Sequence, residues 1–328
     1  PSTAPGPEES RPVESAPVSS VFAASAAEAE TPPSAELWTS KVLIYEKRGY
    51  ETAWYTDYAA SYYTRAVENL AGRIDEGIGV YVMIIPSAIE FLQNEKYRSL
   101  SYPQAKGIRD IYAKFSSRVT ALDVLPELGR HGGEYLYHKT DHHWTGLGAW
   151  YAYAAAARAV GITPFPYEAY PKESIPGFLG TMYNRTRSAE LFSNPDTVEL
   201  VYPFANHVFT MRAGPLPVEG KAVDKSYIQG FNTYLAYING DYPHADIRGP
   251  VKNGRRILVL KDSYANAFIP YLIPHFEEVH IIDPRYWSGS VPAYVRENDV
   301  TDVLIFNYYL VVSVYVGFAD NIFRVTGN

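Results

Sequence analysis

The sequence predicts a doubly wound α/β domain, with a mostly parallel sheet and helices on both of its faces. Three observations predict it. Short continuous apolar runs such as Val80-Tyr81-Val82-Met83-Ile84-Ile85 end at turn residues, as strands buried on both faces do. Segments of helical length and spacing alternate with these runs. Ser263, Arg285 and Asn307 each follow a different predicted strand, at the carboxyl ends where ligand sites of such sheets lie.

Residues 1–36 are rich in Pro, Ser, Ala and Glu, with Phe22 the sole aromatic, so they hold too little apolar surface to offset the entropy of ordering. They are expected to be a disordered linker or stalk ahead of one domain spanning 37–328. Stalks of this composition commonly connect an exported domain to a signal or membrane anchor. The expected location is therefore extracytoplasmic, at the cell surface, with attachment through an N-terminal segment absent from this chain. The domain opens with a strand over 41–45 and a helix over 58–73. A strand over 80–86 and a helix over 102–115 follow. A strand over 119–124 leads through Pro126 into a loop with Gly132 and Gly133, and the helix over 145–160 comes next. Residues 162–250 change texture: Pro, Gly and Asn are frequent and the alternating runs are short, which predicts an irregular insertion packed over one end of the sheet. Regular alternation then resumes with strands over 256–260, 279–283 and 303–307, and with helices over 264–275 and 291–298.

The net charge of −7 gives no footprint for nucleic acid. The absence of cysteine excludes disulfides and thiolate metal sites. No run of about 18 apolar residues occurs, and the stretch 310–318 is interrupted by Ser313 and Gly317. The 29 tyrosines offer faces that can stack on sugar rings, although filling core and surface explains most of them.

Two segments carry chemistry. Tyr137-His138-Lys139-Thr140-Asp141-His142-His143-Trp144-Thr145-Gly146 concentrates an acid, three imidazoles and an indole just before an Ala-rich helix. Ile257-Leu258-Val259-Leu260-Lys261-Asp262-Ser263 ends a strand on a serine. A serine hydroxyl needs a base to act as a nucleophile. His143 can serve, with Asp141 orienting the ring and stabilising the imidazolium. The Ser263 N–H, near the start of the predicted helix, is a natural oxyanion donor. Capping roles compete with this reading, since Asp141 or Thr145 can cap the 145–160 helix and Ser263 the next one. A metal site from His138, Asp141, His142 and His143 also competes. Adjacent histidines diverge, however, and the helical His-Glu-x-x-His spacing is missing, so neither metal nor cofactor is assigned.

Asp141-His142-His143-Trp144, Lys261-Asp262-Ser263-Tyr264-Ala265-Asn266 and Ile282-Asp283-Pro284-Arg285-Tyr286 occur in that order, and together they resemble the DHHW family. That family is similar to the SGNH-hydrolase-like domains of alginate O-acetylation proteins. The resemblance runs from about Trp38 to the C-terminus. It implies an SGNH-hydrolase-like fold, Asp141 and His143 as an acid-x-histidine pair, Ser263 as nucleophile and Arg285 at an active-site position. Compensation of Asp283 or Glu278 is the alternative for Arg285. His142 and Trp144 either touch substrate or pack beneath the site, with packing favoured for Trp144. The usual Gly-x-Asn-Asp oxyanion block is lacking; Gly240, within Asn239-Gly240-Asp241, and Asn307 are the candidates to replace it. The implied activity is carbohydrate O-acetyl transfer or acetyl-ester hydrolysis through an acetyl-serine. The implied partners are a polysaccharide acceptor and a membrane-bound acyltransferase delivering the acetyl group. The alternative is a non-catalytic cell-surface protein that binds or assembles polysaccharide on a degenerate hydrolase fold.

Overall fold

The computed structural model describes residues 35–37, 41–230 and 232–327. A small antiparallel sheet joins β1 (Ala35–Leu37), β2 (Val42–Tyr45) and β3 (Arg48–Glu51). The predicted linker otherwise lies outside the described residues, but its last two positions already belong to this sheet, where Ala35 pairs with Tyr45. The strand expected over 41–45 therefore forms, though away from the main sheet.

The main sheet has eight strands. They are β4 (Gly79–Ile85), β5 (Thr120–Ala121), β8 (Val208–Met211), β9 (Val218–Gly220), β10 (His244–Arg248), β11 (Arg256–Lys261), β12 (Glu278–Ile282) and β13 (Asp302–Tyr308), while β6 (Lys172–Phe178) and β7 (Asp196–Val201) form a separate antiparallel pair. Across the main sheet the order is β5-β4-β13-β11-β12-β10-β8-β9. The first five strands are parallel and the last three antiparallel. Alternate side chains of the central strands feed two cores. Met83, Ile85, Val259, Leu304 and Phe306 pack with Ala149, Ala152 and Tyr153 of the helix Gly146–Ala159 on one face. Val82, Ile84, Leu258, Leu260, Val303 and Ile305 pack on the other against the helices Asp57–Ala71, Val291–Glu297 and Gly317–Thr326. This two-sided burial is why these strands read as unbroken apolar runs.

Two expectations need correction. The segment 264–275 is not an α-helix but two short 3₁₀ turns, Ser263–Ala267 and Ile269–Leu272. Pro270 explains this, because it lacks an N–H and its ring would collide with the carbonyl four residues back. Residues 162–250 are only partly an insertion, since β8, β9 and β10 extend the main sheet by antiparallel pairing onto β12. Beyond the predicted elements, two helices, Tyr309–Ser313 and Gly317–Thr326, take up part of the stretch 310–318. Among the described residues, no helix is long and apolar enough to cross a membrane.

Candidate active site

The Asp141–His143 segment is a closed loop before a helix. The N–H of His138 donates to the His143 carbonyl (3.1 Å), and Tyr137 and Trp144 bridge its base. Asp196 of β7, fully buried, anchors the loop by accepting the N–H groups of Lys139 and Thr140, each at 2.8 Å, and the Thr140 hydroxyl at 2.5 Å. Thr145 caps the following helix by accepting the Gly148 N–H, so the cap role falls to Thr145 and not to Asp141. The other segment is fixed from below. The Asp262 carboxylate accepts the N–H groups of Tyr264 (2.9 Å) and Tyr308 (2.8 Å), which leaves Ser263 at the end of β11 between them.

These two anchorings bring Asp141, His143 and Ser263 together. Asp141 Oδ2 lies 2.6 Å from His143 Nδ1, and His143 Nε2 lies 2.9 Å from Ser263 Oγ. The ionised carboxylate can only accept, so Nδ1 carries the proton and Nε2 is free to accept from the serine. Asp141 Oδ1 is held by the N–H of Thr181 at 2.7 Å and its hydroxyl at 2.8 Å. Burial pushes the Asp141 carboxyl up, but the imidazoles of His143 and His142 and the Thr181 hydrogen bond outweigh it and hold it well below the usual range. Burial, together with the neighbouring His142, depresses the imidazole of His143 despite Asp141, favouring the neutral base. Its ring is sandwiched. Tyr234 stacks on one side at 3.9 Å and 11°, and His142 lies on the other at 3.8 Å.

The other predicted residues fall in different places. Arg285 lines the same cleft as Ser263, a space of about 220 Å³ that also meets Arg185, His142, Tyr308 and Tyr315. Its guanidinium is committed to Asp283 (2.6 and 2.9 Å) and Asp241 (2.9 Å), while Glu278 plays no part in holding it. Asp241 also receives Lys261 Nζ at 2.5 Å and Asn266 Nδ2 at 3.1 Å, so Asn266 ties the turn below the serine. Neither oxyanion candidate is free. The Gly240 N–H donates to the Tyr237 carbonyl at 3.2 Å. The buried Asn307 amide donates to Asp262 at 3.2 Å and its carbonyl accepts from Tyr63 at 2.8 Å, so Asn307 braces Asp262 from beneath the site. Trp144 is fully buried and donates to the Tyr264 carbonyl at 2.9 Å, which is a packing role. The three imidazoles do not all converge: Asp141, His142 and His143 bring ligand atoms within 4.8 Å of one another, close enough to admit a metal ion, but His138 stands apart. His138 is buried against Phe178 and Tyr135, whereas His142 directs Nδ1 to the Thr181 hydroxyl at 2.5 Å.

The sequence profile described as DHHW protein matches residues 22–282. The chain belongs to the DHHW family. A search of curated proteins returns no match. Among solved structures, a DHHW family protein from Eubacterium siraeum superposes with a TM-score of 0.80 at 26% identity, covering 88% of this chain and 98% of that one. Bacillus cereus PatB1, in a structure with a sulfonyl adduct, gives a TM-score of 0.70 at 19% identity over 85% of this chain and 97% of its own. The DHHW chain thus has the SGNH-hydrolase-like doubly wound fold.

Sequence reasoning missed Gly180, Thr181 and Tyr234. All three sit in the irregular segment, where no periodicity places a side chain. The Gly-Thr pair opening the short helix Thr181–Thr186 was the available signal, as a turn able to present an N–H and a hydroxyl to an anion.

Proposed function

We propose that this protein is a serine-dependent acyl-transfer enzyme that moves or removes acetyl groups on carbohydrate outside the cytoplasm. One observation carries the reading: the unbroken line from Asp141 through His143 to Ser263, at 2.6 and 2.9 Å, opening onto a cleft at the carboxyl end of the sheet. As Ser263 Oγ attacks the acetyl carbonyl, its proton passes to His143 Nε2, and Asp141 stabilises the imidazolium. The Ser263 N–H serves as an oxyanion donor. His143 returns the proton to the departing alkoxide. It then takes the proton of the incoming sugar hydroxyl or water as that oxygen attacks the acetyl-serine, and passes it to Ser263 Oγ as the acyl–oxygen bond breaks.

The cleft supports a sugar acceptor. Arg185 and His142 offer hydrogen bonds along its walls, Arg285 adds positive charge while held by Asp283 and Asp241, and Tyr315, more than half exposed, presents an aromatic face. Sulfonyl capture, as in the PatB1 structure, is a reaction that activated nucleophiles undergo. Within this reading the acceptor is a cell-surface or secreted polysaccharide, the donor group comes from a membrane-bound acyltransferase, and the enzyme is tethered through its N-terminal stalk. A chromogenic acetyl ester tests the chemistry, with turnover expected from the wild type and lost in Ser263→Ala. Equal turnover by both proteins would reject it. Adding a polysaccharide acceptor and following acetylated sugar by mass spectrometry separates transfer from hydrolysis.

A further inference from the structure

A second cluster of polar side chains sits on β10 and β12, outside the catalytic line. His244 and Asp246 are two residues apart on β10 and so share a face, and Asp246 is paired across the ladder with His280 of β12. Tyr294, from the helix Val291–Glu297, brings its hydroxyl to the same point. The separations are short. Asp246 Oδ1 is 2.9 Å from His244 Nε2, 3.0 Å from His280 Nδ1 and 3.0 Å from the Tyr294 hydroxyl. That hydroxyl is itself 2.8 Å from each of the two ring nitrogens.

These five contacts do not have five hydrogens. Each ring nitrogen and the hydroxyl supply at most one, and the carboxylate none. Two of the contacts therefore have no hydrogen of their own. Four lone-pair-bearing atoms converging on one point are what a small cation requires. Four donors about 2.0–2.1 Å from a tetrahedral zinc ion stand roughly 3.3 Å apart, so the present set need open by only a few tenths of an ångström.

The surroundings fit as well. His280 is buried, and its other nitrogen, Nε2, makes no hydrogen bond but stands 3.3 Å from the Glu278 carboxylate, within reach of one once the ring is fixed. A carboxylate behind a ligating imidazole is the usual arrangement that fixes the ring and raises its basicity. The Arg212 guanidinium holds the other Asp246 oxygen at 2.8 Å, leaving Oδ1 aimed inward. His244 and Asp246 keep 12% and 14% of their side-chain surface exposed, which provides an entry path.

We infer that His244, Asp246, His280 and Tyr294 form a binding site for a divalent first-row metal ion of the zinc type. The ion would clamp the antiparallel edge onto the parallel sheet. His244 is paired with Ile282, one residue before Asp283, whose carboxylate holds Arg285 in the cleft. The role is structural, at the base of the strand end that carries Arg285.

The test is titration of the chelator-stripped chain with zinc alone, read by calorimetry and by thermal unfolding. About one equivalent should bind, and the melting temperature should rise with zinc concentration. Asp246→Asn and His244→Gln should abolish both effects. Glu278→Gln should weaken binding about 10–100-fold. Cobalt substitution should give a visible absorption band in the wild type that Tyr294→Phe alters. His142→Ala, at the other His-Asp cluster, should bind zinc like the wild type. Absence of a stoichiometric site in the folded wild type would overturn the inference. So would undiminished binding in folded Asp246→Asn, or binding lost in His142→Ala. If His244→Gln or Asp246→Asn fails to fold, Glu278→Gln and the cobalt band decide.

Discussion

Gly180 lies so tightly under Asp141 that a β-carbon on it would stand 2.1 Å from the Asp141 β-carbon and 2.4 Å from its Oδ1. Its φ of −89° is open to any residue, so space rather than backbone conformation demands glycine here. Gly180→Ala should therefore displace the carboxylate from His143. The expected cost is about 1–3 kcal/mol of stability, the range for overpacking a close-packed site, together with at least a tenfold loss of acetyl-ester turnover. Urea unfolding and steady-state kinetics on the same preparation check both, and an unchanged kcat would show that the loop absorbs the methyl group.

Ser263→Ala and His143→Ala should each lower turnover by on the order of a thousandfold or more without unfolding the chain. Asp141→Asn should be comparably severe, because an amide no longer favours the tautomer that leaves Nε2 unprotonated. A sulfonyl fluoride should label Ser263 in the wild type and fail in His143→Ala. Intact-mass measurement reads the label, and full labelling without His143 would remove it as the base.

The pH dependence follows from the direction in which His143 is shifted. The neutral ring is the active form, and burial with His142 nearby lowers its pKa from the usual 6.5. Activity should therefore rise with pH through a limb centred below about 6.5 and be level by neutrality. A kcat/KM profile from pH 4.5 to 8 measures this, and a limb centred above 6.5 would contradict the burial argument.

Asp241→Ala should be among the most destabilising single changes near the site. It leaves Lys261, 1% exposed, with its nearest carboxylate oxygen 3.7 Å away on Asp283. Removing one partner of a buried pair costs about 3–5 kcal/mol. Burial raises the Asp241 carboxyl, but Lys261 and Arg285 outweigh it, so the folded group titrates below the usual range. Its contribution is present above the unfolded carboxylate pKa of about 3.9 and fades as pH falls below it. The stability difference between wild type and Asp241→Asn should thus narrow in acid, as urea midpoints at pH 7 and pH 3.5 would reveal.

The line from Asp141 through His143 to Ser263 was legible because each half is local. An acid two residues from a histidine, and a serine closing an apolar run, are short patterns whose chemistry constrains them. The central strands were legible too, since two-sided burial leaves an apolar string in the sequence. β10 was not, because His244, Asp246 and Arg248 make it look polar and its partner is settled only by the register with β12. The segment after Ser263 has helical spacing, and Pro270 converts it into 3₁₀ turns. Asn307 and Gly240 sit at strand or turn positions suited to an oxyanion donor. Whether a donor there is free depends on Asp262, Tyr63 and Tyr237, which only the tertiary fold brings near.

The pairing of β4 with β13, in which Gly79 faces Asp302 and Ile85 faces Tyr308, has a consequence for the life of the chain on the ribosome. The middle of the sheet joins two strands that lie far apart in the sequence. Closing so long a loop is slow, and until then β4 presents unpaired backbone along an apolar strand. Ser263 rests on Asp262, which rests on Tyr308 and Asn307, so its setting too waits for β13. The nascent polypeptide should therefore lack a formed site around Ser263, and need a chaperone, until β13 has left the exit tunnel.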